Sequence, residues 1–254
     1  MKLKYVDVHA HMNEDVFNKD RDKILKECEN KGILVINCSG EPKANRDSLK
    51  LLKYPNVRIC LGIYPIQTAE MKDSEFFKEL NFIEENKDKI VGIGEVGLDF
   101  YWIKDETKRY LQMERFKEII WLANKLRLPL NVHSRDAEKQ TIAILSKMAH
   151  VPVVLHAFNG DVKLAKFGAS QGFYFSIPPS IVRSKRKQEI VKALPIERIL
   201  TETDSPYLGP TRERNDPRNI PLVIEKIAEI KQIEIEEARK QILKNVGNVF
   251  LLFN

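Results

Sequence analysis

Short apolar runs alternate with longer stretches of helical spacing from one end of the chain to the other. Eight runs read as strands: YVDVHA (5–10), ILVINC (33–38), VRICLGI (57–63), IVGIGEVG (90–97), LPLNVH (128–133), VPVVLH (151–156), GFYFSI (172–177) and RILTETD (198–204). Helix-like segments lie between them, near 20–31, 42–53, 74–87, 107–127, 136–148, 161–170 and 184–193. The clearest places Phe116, Ile119, Ile120 and Ala123 on one face. After the last strand, Ile224, Ile227 and Ala228 mark one helix, with Asn219 as its expected cap and Pro221 in its first turn. Ile235, Ala238, Ile242 and Val246 mark another.

Strict alternation of strand and helix implies a parallel sheet. Eight such units in 254 residues predict an α/β protein, a (β/α)8 TIM barrel with C-terminal helices. A doubly wound open sheet is the alternative; it needs a crevice at one switch point rather than polar residues on many strand ends. No composition break divides the chain, so residues 1–254 are expected to form one domain.

The polar residues decide between these folds. Residues i and i+2 of a strand share a face, so His9 and His11 project together, with Asp7 below them. Two imidazoles on one face can chelate a metal, although HxH alone has little specificity. The predicted fourth, fifth, sixth and eighth strands end near Glu95, His133, His156 and Asp204. In a barrel these ends converge at one mouth, where active sites are built. Six such side chains without a partner cost several kcal/mol each to bury, roughly, and a metal removes that cost. Four imidazoles and two carboxylates exceed the needs of one ion, so two divalent ions are expected, from among Zn, Mn and Mg. His150 precedes a strand and reads as structural.

Composition narrows the class. A hydrophobic fraction of 43% supports a packed core, and a net charge of +6 suits anionic partners or merely solubility. Cys28, Cys38 and Cys60 have no metal-type spacing, and an odd count argues against a disulfide framework. There is no apolar signal core and no run of membrane-spanning length. A soluble, cytoplasmic protein with no membrane partner is expected, with a monomer as the default.

The segments VDVHAH, GEVGLDFYW, NVHSRDA, HAFNG and TETDSPYL, in this order, resemble the TatD-type deoxyribonucleases, metal-dependent hydrolases built on amidohydrolase-like barrels. LGIYP, NIPLVIEKIA and the late KNVGNVFLLF extend the resemblance over essentially the whole length. It implies that His9, His11, Glu95, His133, His156 and Asp204 are metal ligands. Glu95 would bridge the ions, His9 and His11 would hold one, and His133 and His156 the other. Asp204 would also take the proton of the attacking water. Tyr64 stands where relatives usually carry His, beside the substrate phosphate, which bears on substrate preference or rate. The implied activity is hydrolysis of DNA phosphodiesters by a two-metal-activated water, 3′ to 5′ on single strands, with RNA left open. A metal-dependent amide, ester or lactone hydrolase is the competing enzyme, because the same constellation polarises carbonyls.

Other residues carry paired readings. Glu202 is either an acceptor behind a ligand imidazole or a buried structural carboxylate. Asp99, Tyr101 and Trp102 either position substrate and stack a base, or simply pack. Arg135 either clamps phosphate or forms a salt bridge at the next helix. The basic stretches 183–187 and 211–218 either face a polyanion or are solvated faces.

Overall fold

The computed structural model describes residues 2–250 and Leu252; Leu251 and Phe253 of the KNVGNVFLLF segment lie outside the described residues. The chain runs β1 (Tyr5–Ala10), α1 (Arg21–Lys31), β2 (Ile33–Ser39), α2 (Pro42–Leu49), β3 (Val57–Leu61), α3 (Pro65–Glu70) and α4 (Asp73–Glu85). It continues β4 (Gly92–Asp99), α5 (Glu106–Leu126), β5 (Leu130–Arg135), α6 (Glu138–Met148), β6 (Val153–His156), α7 (Val162–Ser170) and β7 (Tyr174–Ile177). Then follow α8 (Lys185–Ala193), β8 (Ile199–Thr201), α9 (Ile220–Lys231) and α10 (Ile235–Phe250). The strands pair in parallel, each with the next in chain order. β8 then returns to β1: Thr201 Oγ1 donates to Val6 O at 2.8 Å, and Ala10 bridges Ser205 in parallel. The architecture is a (β/α)8 TIM barrel.

Both faces of the sheet are apolar, as a parallel sheet covered by helices requires. All of β2 is buried. Its pleat divides it: Ile33 and Val35 join the cluster containing Ile24, Leu25 and Cys28 of α1, whereas Leu34, Ile36 and Cys38 join Val6, Val8, Cys60, Val154 and Leu200. That second cluster draws its helical members from α10 alone, through Val246, Val249 and Phe250. It is the barrel interior, closed by α10 at the end where strands begin. The opposite end is left to polar side chains.

Helix boundaries have local causes. Asp105 caps α5 by accepting from Lys108 N at 2.8 Å, and Arg127 ends it in the left-handed region, φ 56°. Phe116, Ile119, Ile120 and Ala123 are buried as the spacing predicts. In α10, Ala238, Ile242 and Val246 are buried, but Ile235 is exposed because the helix has not yet reached the core at its first residue.

Several boundaries differ from expectation. β3 stops at Leu61, β4 runs on to Asp99, and β8 stops at Thr201. Helix α3 was not legible, since six residues starting at Pro65 are too few to display a period. Asn219 does not cap α9: its backbone is already helical and its Nδ2 donates to Asn215 Oδ1. Asp216 does the capping one turn earlier by accepting from Arg218 N, while Pro221 lies in the first turn as expected.

Candidate metal centre

The carboxyl ends of the strands deliver the six expected side chains to one place. His9 lies in β1 and His11 just after it, Glu95 within β4, His133 in β5, and His156 at the last position of β6. Asp204 sits beyond β8, not on it. Its φ of 54° turns the chain, and its backbone N–H donates to His9 O at 2.8 Å. Close approach of β4 to β5 depends on Gly97, at φ +135°, where an added Cβ would lie 2.1 Å from His133 O.

Glu95 divides its carboxylate between two pairs of imidazoles. Its Oε1 lies 2.9 Å from His133 Nδ1 and 3.0 Å from His156 Nε2, and those nitrogens are 3.3 Å apart. Its Oε2 lies 3.7 Å from His9 Nε2 and 3.6 Å from His11 Nε2, which are 3.2 Å apart. Asp204 Oδ1 completes the second group at 3.7 Å from His9 and 3.3 Å from His11. The rings of His9 and His156 stack at 3.8 Å between centroids and join the two halves.

Neighbours assign the ring tautomers. Asn131 Nδ2 donates to Val8 O, so its Oδ1 faces His9 Nδ1 at 2.8 Å and must accept from it. His11 Nδ1 donates to Cys38 O at 2.9 Å. His133 Nε2 donates to Asp99 Oδ2 at 3.1 Å, and the Tyr64 hydroxyl donates to the same oxygen at 3.4 Å. In the neutral rings the opposite nitrogens of His9, His11 and His133 are therefore lone pairs, pointed at one another and at carboxylate oxygens. His156 Nδ1 is buried without a hydrogen-bond partner among the described residues, with Glu202 Oε2 beyond bonding range at 3.6 Å. A cluster of acceptors so arranged requires positive charge. His9, Glu95 and His156 form one group able to hold a cation, and His9, His11 and Asp204 another.

The ionisation equilibria express the same demand. Burial disfavours charge on Glu95, but His156, His133 and His9 outweigh it and hold its carboxyl well below the usual range. Burial likewise opposes the charge on Asp204, and His11, His156 and His9 keep its pKa low. Burial works against a proton on His11, yet Asp204 and Glu95 raise its pKa to about 9. His156 is pushed up against its burial by Glu95 and Glu202, and His133 by Asp99 and Glu95.

The remaining expected residues fall into two groups. Asp99 and Glu202 are fully buried and hold other groups in place, and neither is among the residues lining the cavity over the cluster. Glu202 accepts from Ala157 N at 2.8 Å and from Ser176 Oγ at 2.5 Å, which fixes the chain just after His156. Tyr64, Arg135 and Trp102 line a cavity of about 940 Å³ over the cluster, together with Glu95, His133 and Asp204. Arg135 has no carboxylate partner among the described residues and lies 3.7 Å over the Tyr101 ring. His150 precedes β6 at the far rim and is exposed.

The two basic stretches separate. Arg214 pairs with Asp20, and Arg218 with Glu27 and Asp216, so the 211–218 stretch spends these arginines on the protein's own acids. In 183–187, Lys187 is buried at the cavity and its Nζ donates to Ala157 O at 3.0 Å. Neither Asn131 nor Lys187 was singled out from the sequence. Asn131 carried a signal, since it stands two residues before His133 on an inward-reaching strand. Lys187 carried none beyond its charge.

Known proteins resemble the chain along nearly its whole length. The profile of the TatD related DNase family matches residues 6–251. Deoxyribonuclease TATDN3 of Homo sapiens is 38% identical over 96% of this chain and 94% of its own. An uncharacterized metal-dependent hydrolase of Methanocaldococcus jannaschii is 35% identical over 98% of this chain and 97% of its own. Among solved structures, YJJV, a TatD homologue of Escherichia coli, superposes with a TM-score of 0.90 at 23% identity, over 99% of this chain and 100% of that one. The chain belongs to the TatD related DNase family.

Proposed function

We propose that the protein is a divalent-metal-dependent deoxyribonuclease that removes nucleotides from the 3′ ends of single-stranded DNA in the cytoplasm. The observation that carries this reading is the division of Glu95, one oxygen toward His133 and His156 and the other toward His9 and His11, which Asp204 also approaches. The donor set fits two cations: His9, His11 and Asp204 would hold one, His133 and His156 the other, and Glu95 would bridge them. When bound, such ions lower the pKa of a water and neutralise charge on phosphoryl oxygens.

This chain's own residues do the rest. Asp204 lies at the edge of the cluster on the cavity side and is kept ionised by its imidazole neighbours, so it can take the proton of the attacking water at Oδ1 or Oδ2. Lys187 and Arg135 place positive charge on the cavity wall, where a phosphodiester requires it. The buried, unpaired thiols of Cys28, Cys38 and Cys60 accord with a reducing compartment.

The test is nucleotide release from end-labelled single-stranded DNA, run with metal, with chelator, and beside a panel of carboxylic esters, amides and lactones. Stepwise shortening from the 3′ end, abolished by chelator and by Asp204→Asn, is expected. Turnover of the carbonyl panel without any cleavage of DNA would assign the other hydrolase chemistry instead.

A further inference from the structure

The loop after β4 carries two exposed aromatic rings at the mouth of the cavity. Trp102 is 58% exposed and Tyr101 41%, an unusual outlay of apolar surface beside a charged site. The two rings do not play the same part. The Arg135 guanidinium covers the Tyr101 ring at 3.7 Å, and Tyr101 meets Trp102 edge-on, with centroids 4.9 Å apart and planes at 84°. Arg135 lies 5.7 Å from the Trp102 centroid, and Trp102, unlike Tyr101, lines the cavity. Tyr101 is thus a buttress already occupied by a cation, and Trp102 is the ring offered to a ligand.

Asp99 ties this ring to the cluster. Its Oδ1 accepts from Trp102 N at 2.9 Å while its Oδ2 accepts from His133 Nε2 at 3.1 Å. One buried carboxylate therefore fixes both the backbone beneath the aromatic ring and an imidazole of the cluster. A flat apolar group bound on Trp102 is held at a set offset from an anion bound at the cluster. Arg135, without a carboxylate partner among the described residues, supplies charge between them.

We infer that Trp102 is the stacking platform for one nucleobase of a single-stranded substrate, with Tyr101 and Arg135 holding it upright. This rests on the phosphodiesterase reading above and names the residue that would favour chains whose bases are free to leave a duplex stack. A ring face recognises any base, so the site selects unpaired ends without selecting sequence.

Two measurements test it. In the first, single-stranded oligonucleotides are compared with versions carrying an abasic residue at the terminal or the penultimate 3′ position. Wild type loses roughly 5- to 100-fold in kcat/KM at one of these positions, the range for one base on one aromatic ring. Trp102→Ala loses as much on the intact oligonucleotide and nothing further on that abasic one, while Trp102→Phe retains most of the rate. Equal, additive losses from mutation and base removal, or no loss in Trp102→Ala, overturn the proposal.

In the second, Trp121→Phe leaves Trp102 as the only tryptophan of the two in the chain. Combined with Asp204→Asn to prevent turnover, it is titrated with single-stranded DNA and with a fully abasic oligomer. Quenching by the first alone is expected, and equal quenching by both refutes stacking. This readout needs no activity, so failure of the nuclease reading and failure of the platform are told apart.

Discussion

His9 and His11 turn their Nε2 atoms toward each other at 3.2 Å, while each commits its Nδ1 hydrogen to a fixed acceptor, Asn131 Oδ1 and Cys38 O. Two lone pairs held face to face are stable only around a positive charge. The fold thus builds the demand for a cation into residues that would never touch it.

Asn131 is the more easily tested of these acceptors. Asn131→Ala frees the His9 ring to adopt the other tautomer and removes the amide that donates to Val8 O. Affinity for the metal held by His9 and His11 falls by about 10- to 100-fold, with Asn131→Asp retaining more of it. Isothermal titration measures this. Unchanged affinity in Asn131→Ala means the ring is oriented by packing alone.

Gly97 supports the same centre through backbone geometry. At Gly97 an added Cβ collides with His133 O, whereas at Gly172, also at positive φ, nothing lies within 4 Å. Gly97→Ala therefore costs about 3 kcal/mol or more, combining backbone strain with displacement of β5. Gly172→Ala costs about 1 kcal/mol, from strain alone. Urea unfolding of both variants gives the comparison, and equal losses contradict the collision.

Much of this was legible in the sequence. Short apolar runs separated by helical stretches showed the barrel order, because a parallel strand buried on both faces and an amphipathic helix leave different apolar spacings. The site was legible because polar residues toward the ends of otherwise apolar strands, such as His133 and His156, have few reasons to be there, although Glu95 lies in mid-strand because β4 runs on to Asp99. Asp204 was placed correctly in space but not on a strand, since a left-handed turn beyond β8 delivers it. The roles of Asp99 and Asn131 depend on contacts 34 and 122 residues away in the chain, which no local pattern encodes. The two basic stretches look alike in the sequence, and only their partners distinguish them.

That distinction has a consequence for DNA binding. Arg214 and Arg218 already neutralise Asp20, Glu27 and Asp216, while Arg135 stands at the cavity without a carboxylate partner among the described residues. Arg135→Ala therefore lowers the slope of log affinity against log salt by about 0.7 on single-stranded DNA. Arg214→Ala and Arg218→Ala leave it nearly unchanged. Fluorescence anisotropy at several salt concentrations reads this, and a slope that falls most for Arg214→Ala contradicts the assignment.

The most direct measurement is anomalous scattering from crystals soaked in Zn²⁺ or Mn²⁺. Two peaks are expected, one among His9, His11, Asp204 and Glu95 Oε2, the other among His133, His156 and Glu95 Oε1. Peaks confined to the protein surface, or none in a fully soaked crystal, would contradict the account.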